Sequence, residues 1–212
     1  MKLKNIDLKG ENMWRTGLII FVLTTVIFLG HGQAYSDDIL DAINEAVDAY
    51  KDKEFVEAVE GLDYAKQLIQ QLRSDKILKF LPEPFSGWKA KSGKSQNMGI
   101  LGGMTGVQKE YWQPGKGNTG RKRITISIMG ESPIMQGMMA AFNPMYATAG
   151  GGRLQKIKRN KAVVKYDPDR RSGDINVLVK KRFIVSIKGS SVDEKDLMDY
   201  AKAVDYKGLK EF

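Results

Sequence analysis

Two prolines in the stretch Leu81-Pro82-Glu83-Pro84 separate two parts of this chain that differ in periodicity and in charge. Proline lacks a backbone N–H and holds the preceding residue in extended backbone, so a helix ends at or before such a stretch. Apolar residues recur at helical spacing before the prolines and alternate with polar residues after them. Residues 35–83 hold 12 acidic and 6 basic side chains, and residues 84–212 hold 11 acidic and 24 basic ones. The sequence therefore predicts an acidic helical domain, 35–83, and a basic domain, 84–212.

The first 34 residues have the composition of a secretory signal peptide. A basic start precedes an apolar run at 18–29, and Gly32-Gln33-Ala34 offers the small residues of a cleavage site. The run is short for a membrane-spanning helix, which needs about 20 apolar residues. We therefore expect residues 1–34 to be removed and the protein to be periplasmic or secreted. The alternative is an uncleaved segment that anchors the protein to the inner membrane through residues 18–29.

The acidic part is predicted to be a helical hairpin. Two stretches with helical spacing are separated by a polar break at 51–53. Ala46, Ala58 and Ala65, with Phe55 between them, stand where a tetratricopeptide repeat keeps its small and aromatic packing residues. One copy is too little for a solenoid, which needs three or more repeats. We therefore expect a single hairpin and no peptide-binding groove.

The basic part is predicted to be an antiparallel sheet of about six strands with flanking helices. Residues 122–129 show the pattern best, because isoleucines alternate there with polar residues. The predicted strands are 105–113, 122–129, 154–158, 162–166, 174–179 and 182–188. Helices are predicted at 132–142 and 193–204. Strands joined mostly by hairpins, with helices outside the sheet, are typical of the α+β class.

Three stretches carry a resemblance to a known family. They are Leu81-Pro82-x-Pro84-x-x-Gly87-Trp88, Ile134-Met135-Gln136-x-Met138-Met139 and Asp196-Leu197-Met198-x-Tyr200-Ala201-x-Ala203-Val204-Asp205-Tyr206-Lys207-x-Leu209. With this order of elements, the chain resembles a family of uncharacterised exported bacterial proteins over most of residues 36–210. In element order alone it is similar to the PsbP-like domains. The resemblance implies a hairpin followed by a sheet domain, and a non-catalytic partner of other proteins with no catalytic residues.

Residue composition argues against most enzymes. The chain has no cysteine, and its single histidine, His31, lies in the predicted signal peptide. The mature protein would therefore lack both thiol and imidazole groups, which serve most often as nucleophile, general base or metal ligand. The stretch 115–120 matches G-x-G-x-x-G, but a predicted strand follows it where dinucleotide binding requires a helix. We therefore predict a protein that is not an enzyme and binds no cofactor.

Two other chemistries stay open. Met135, Met138 and Met139 share a helical face, and their thioethers are ligands for Cu(I) as well as adaptable core fillers. Carboxylate chemistry would require two acidic side chains that converge in a cleft. The available carboxylates are Glu110, Glu131, Asp167, Asp169 and Asp174.

Basic residues recur near the ends of the predicted hairpins. The candidate binding residues are Arg121, Lys122, Arg123, Lys180, Lys181 and Arg182, and further basic clusters stand at 156–161 and 170–171. No aromatic residues accompany them in a pattern suited to nucleic-acid stacking. We therefore expect a non-catalytic exported envelope protein, a binding or accessory module for an anionic surface or another envelope protein. Membrane contact would be peripheral or through an uncleaved N-terminal segment. The alternative is a periplasmic metal-handling protein that holds Cu(I) with the methionine cluster.

Overall fold

The structure is a computed structural model that describes residues 34–98, 104–115, 121–130 and 134–212. The predicted signal peptide before Ala34 and residues 116–120 of the glycine-rich stretch lie outside the described residues. The chain divides into two compact units between residues 69 and 70. We call residues 34–69 the hairpin unit and residues 70–212 the sheet unit. None of the described helices is long and apolar enough to cross a membrane.

The hairpin unit contains helix α1 (Ala34–Lys51) and most of helix α2 (Phe55–Leu78), whose last residues belong to the sheet unit. The two helices meet through small side chains, because Ala42, Ala46, Ala58 and Ala65 are buried. Gly61 lies so close to α1 that a Cβ on it would come within 2.9 Å of the Ala46 Cβ. The predicted hairpin is confirmed. Most of its large apolar side chains are exposed; they include Leu40, Val47, Tyr50, Phe55, Val56, Val59, Leu62 and Tyr64.

The sheet unit contains one antiparallel sheet in which eight strands are described. Their bounds are β1 (Lys89–Ala90), β2 (Lys94–Met98), β3 (Met104–Gln113), β4 (Lys122–Gly130), β5 (Arg153–Ile157), β6 (Asn160–Asp167), β7 (Ser172–Val179) and β8 (Phe183–Ser190). The order across the sheet is β1-β3-β4-β8-β7-β6-β5, and β2 also pairs with β3. All six predicted strands are present, and β1 and β2 add to them. The predicted α+β class is confirmed.

A helical crossover joins the middle of the sheet to its far edge. It contains α3 (Ile134–Met139), the 3-10 helix η1 (Ala140–Phe142) and α4 (Pro144–Ala149). Strands β4 and β5 run in the same direction, and parallel strands cannot be joined by a tight turn. The crossover carries the chain back along the sheet, and three hairpins then return it to β4 as strand β8.

The two faces of the sheet are covered differently. On one face, which we call the core face, Ile124, Ile126 and Ile128 of β4 are fully buried. They belong to a core that includes residues of α5 (Glu194–Ala203), α6 (Tyr206–Glu211) and the end of α2. On the other face, the crossover packs against β6, β7 and β8 through a smaller cluster. Its members are Met135, Phe142, Ala147, Val163 and Ile184, with Leu178 beside them.

Candidate functional site

Two neighbouring hairpins end in turns made of basic residues. In the β5–β6 turn, Lys158 has φ 44° and Arg159 has φ 68°. In the β7–β8 turn, Lys180 has φ 47° and Lys181 has φ 56°. Positive φ at both central positions is the signature of a type I′ turn, which strongly favours Asn and Gly because other side chains are strained there. Four basic side chains therefore occupy positions for which local backbone energetics favour other residues.

Strand register brings these two turns to the same end of the sheet. Lys161, which follows the first turn, pairs with Leu178, which precedes the second, across β6 and β7. We call this region the basic end; its residues are Lys156, Lys158, Arg159, Lys161, Lys180, Lys181 and Arg182. Residues 155–166 and 175–192, which include the two turns and the strand segments next to them, contain no aspartate or glutamate. Like charges therefore lie together here, and the acidic residues of these strands, Asp167 and Asp174, stand toward the opposite strand ends.

Most cations of the basic end have no anionic partner in the described part of the chain. Lys180 donates a hydrogen bond from Nζ to the backbone oxygen of Lys210, at 2.9 Å. The Arg182 guanidinium lies 5.4 Å from the centre of the Phe183 ring. The other five side chains are exposed, and none forms an ion pair with a described carboxylate. Their positive charge is available to an outside ligand.

The other predicted triplet, Arg121 to Arg123, lies at the opposite end of the sheet. Arg123 pairs with Ser190 on β8, whereas the 180–182 turn precedes Phe183 at the other end of that strand. Seven steps along a strand correspond to about 23 Å at about 3.3 Å per residue. The structure therefore does not bring the two predicted triplets together. It groups Lys180, Lys181 and Arg182 with residues 156–161 instead.

Carboxylates also neutralise much of the charge of the 121–123 triplet. Lys122 Nζ lies 2.7 Å from an oxygen of Asp196 and 3.2 Å from one of Asp193, and Arg123 Nε lies 3.0 Å from Glu110. The hydrogen bond to Asp196 raises the pKa of Lys122. Hydrogen bonds from Lys122 and then from Arg171 lower the pKa of Asp193. These residues hold the start of α5 against β4, which is a structural role.

The three candidate methionines have different environments. Met135 is buried in the cluster beneath the crossover, Met139 is half-buried, and Met138 is 36% exposed and lines a cleft. The described residues contain no group of three or more His, Cys, Asp or Glu side chains that could hold a metal ion. The Cu(I) alternative stays a prediction.

The candidate carboxylates are also dispersed. Glu110 pairs with Lys91 and Arg123, and Asp167 accepts hydrogen bonds from two backbone N–H groups of its own turn. Glu131 lies outside the described residues. Of the four described candidates, only Asp174 lines the cleft beneath the crossover. The convergent pair that hydrolysis would require is not found among these four residues in this cleft.

Comparison with known proteins adds no relative to this picture. No protein-family model, curated protein or solved structure matches the chain. The resemblance to exported bacterial proteins and to PsbP-like domains therefore stays a prediction.

Proposed function

We propose that this protein is a non-catalytic binding or accessory module of the cell envelope, and that its basic end docks on an anionic surface. The observation that supports the proposal most is the pair of neighbouring turns formed by Lys158, Arg159, Lys180 and Lys181. Backbone strain persists where the surrounding structure holds it, and it clusters at functional positions. The backbone of these basic residues is strained, and no described carboxylate neutralises their charges. Such side chains are suited to bind an anionic partner.

The strength expected of such a contact follows from simple electrostatics. A basic residue close to an anionic membrane surface contributes about 1 kcal/mol, and the attraction falls off within a Debye length of about 8 Å at physiological ionic strength. Hairpin turns project from the end of a sheet, so several cations can approach a surface together. The sum over a few side chains is enough for reversible, salt-sensitive association.

A pair of matched double variants tests the proposal. Lys158→Glu with Lys181→Glu reverses two charges at the basic end, and Lys89→Glu with Arg121→Glu reverses two exposed cations elsewhere on the sheet. Both variants have the same net charge. Co-sedimentation with vesicles containing phosphatidylglycerol, compared with vesicles of phosphatidylcholine alone, measures binding at low and at high salt.

We expect the intact protein to sediment with the anionic vesicles and to dissociate as salt rises. The basic-end variant should lose this binding, and the control variant should keep most of it. Equal losses in both variants would mean that only net charge matters. Vesicle binding that does not change with salt concentration, or no binding to anionic vesicles at all, would contradict docking through the basic end.

Export is part of the proposal and has its own test. Intact mass of the protein purified from its native host should correspond to a chain that begins at Tyr35. A full-length mass recovered only from the membrane fraction would instead support the anchored alternative.

A further inference from the structure

The crossover and the sheet enclose a cleft that the basic end does not use. Its volume is about 180 Å³. The crossover contributes Met138, Ala141, Phe142, Tyr146 and Ala147, and the sheet contributes Val163, Lys165, Asp174, Asn176 and Ile184. The crossover side of the cleft is therefore largely apolar, and the sheet side carries a cation, a carboxylate and an amide beside two apolar side chains.

The two charged groups of the cleft face each other across neighbouring strands without forming an ion pair. Lys165 on β6 is directly paired in register with Asp174 on β7. The Asp174 carboxylate instead accepts a hydrogen bond from Asn176 Nδ2 at 2.7 Å. Lys165 forms no hydrogen bond or ion pair with the described residues, although its side chain is half-buried. Opposite charges that line one cleft and do not neutralise each other can each bind a group of a ligand.

A glycine loop makes room for the lysine. The Nζ of Lys165 lies 3.1 Å from the point that a Cβ on Gly150 would occupy, and its Cε lies 3.4 Å from the equivalent point on Gly152. A side chain on Gly152 would also meet Val163 at 2.8 Å and the backbone oxygen of Ala147 at 2.9 Å. The loop that ends the crossover therefore lets the lysine stem lie beside the cleft.

We propose that this cleft binds a small apolar α-amino acid. The ligand carboxylate would accept a hydrogen bond from Lys165 Nζ, and the ligand ammonium would donate to Asp174. The apolar side group would lie against Phe142, Val163 and Ile184. Charge-assisted hydrogen bonds of this kind are about twice as strong as neutral ones, and a partly buried site screens them less than water does.

The volume sets the size of the ligand. One water molecule occupies about 30 Å³ in the liquid, so the cleft holds on the order of six water-sized groups, or a ligand of about six to nine non-hydrogen atoms. Drug-sized ligands need cavities of about 300 Å³ or more. A peptide end carries only one of the two charges beside its terminal residue, so the free amino acid fits the pair of charges better.

Isothermal titration of the full protein with four probes tests the proposal. The first two are L-leucine and L-methionine, which carry both charges. The third is 4-methylpentanoate, which lacks the ammonium, and the fourth is 3-methylbutylamine, which lacks the carboxylate. We expect both amino acids to bind and each single-charge probe to bind about tenfold more weakly or worse, the loss of one such contact.

Matched variants locate the binding. Lys165→Met and Asp174→Asn should each weaken leucine binding about tenfold or more, and Lys165→Arg should restore part of it. The controls are Lys161→Met, which changes an exposed cation on the same strand and face, and Asp169→Asn, which changes an exposed carboxylate in the next turn. Both controls should bind leucine as the intact protein does, and circular dichroism checks that every variant is folded.

Three results would overturn the proposal. They are no heat with either amino acid, equal binding of 4-methylpentanoate and leucine, and leucine binding that is as strong in the folded Lys165→Met variant as in the intact protein. Vesicle binding through the basic end should be the same in the intact protein and in Lys165→Met. A failure of the cleft proposal therefore leaves the proposed function standing, and the reverse also holds.

Discussion

The hydroxyl of Tyr111 donates a 2.7 Å hydrogen bond to the backbone oxygen of Pro82. The same oxygen accepts a second hydrogen bond, at 3.2 Å, from Nζ of Lys109, which also pairs with Glu83. Tyr111 is fully buried on β3. A core side chain therefore holds the proline-containing segment against the sheet by a hydrogen bond. The prolines that separate helix from strand in the sequence are in this way part of the sheet unit.

Removing the Tyr111 hydroxyl should lower the stability of the sheet unit. We expect Tyr111→Phe to reduce the free energy of unfolding by about 0.5–1.5 kcal/mol, the usual net contribution of one hydrogen bond. Chemical denaturation measures the change. Tyr146→Phe is the control, because Tyr146 is exposed, and it should leave stability unchanged. Equal effects of the two substitutions would contradict the role of the Pro82 contact.

Alkaline pH should unfold the sheet unit through its buried tyrosines. Burial raises the pKa of Tyr200 to about 12, and it raises the pKa values of Tyr111 and Tyr206 as well. A group whose pKa is higher in the folded state contributes stability that is complete below its unfolded pKa of about 10 and is lost as pH rises through the folded value.

The phenolate absorbance of the folded protein tests this expectation. Of the eight tyrosines, three should ionise only as the protein unfolds, and the delayed fraction should vanish in denaturant. Tyr200→Phe should reduce the part of the phenolate absorbance that appears only as the protein unfolds. A single transition near pH 10 in the folded protein would show that these phenols are accessible.

The contact of Lys122 with α5 should contribute to acid sensitivity. The pKa of Asp193 is lowered in the folded protein, so its contribution is present above the unfolded pKa of about 3.9 and is lost as pH falls through the folded value. Lys122→Met should lower the free energy of unfolding by up to about 1 kcal/mol at neutral pH, and the variant should lose less stability than the intact protein when the pH is lowered. Lys188→Met, which removes an exposed lysine without an ion pair among the described residues, should do neither. Chemical denaturation of both variants at neutral and at acidic pH measures these changes. A loss of stability at acidic pH that is the same in Lys122→Met as in the intact protein would refute the argument.

The local residue pattern predicts most strands of the sheet, but it does not predict the two strands that form only by pairing with a neighbour. Alternation alone identified β4, because Ile124, Ile126 and Ile128 form its buried side. Strands β1 and β2 are short and polar, and they exist because β3 offers them an edge to pair with. Nothing in their own residues indicates that edge.

The candidate sites depend on register, which single residues do not reveal. The sequence indicated basic hairpin ends, but it did not tell which ends lie together, because the order β4-β8-β7-β6 follows from the crossover. It identified Asp174 as an available carboxylate and missed Lys165 and Asn176. Those two residues matter only because the β6–β7 pairing and the crossover place them around one cleft. The turn at 168–171 pairs Lys165 with Asp174 across the two strands, so recognising that turn would have indicated that these two residues are neighbours.

The basic turns should show a trade-off between stability and binding. A residue other than glycine in the left-handed region costs roughly 1–2 kcal/mol, and glycine avoids this cost while losing about 0.5–1 kcal/mol through the greater freedom of its unfolded chain. We therefore expect Lys158→Gly and Lys181→Gly each to raise the free energy of unfolding, by up to about 1 kcal/mol, and to weaken binding to anionic vesicles. Denaturant melts and vesicle co-sedimentation of the same samples measure both effects.

A matched variant separates charge from strain in this prediction. Lys161→Gln removes an exposed cation of the basic end from a strand, where its backbone is unstrained, so it should weaken vesicle binding without any gain in stability. If the two glycine variants lose stability instead, the lysines contribute to the fold and are not held there at a cost. If they gain stability and still bind vesicles as the intact protein does, the strained turns are not the docking element. Only the combination of higher stability and weaker binding in the glycine variants, with weaker binding alone in Lys161→Gln, agrees with turns whose basic side chains serve an anionic partner.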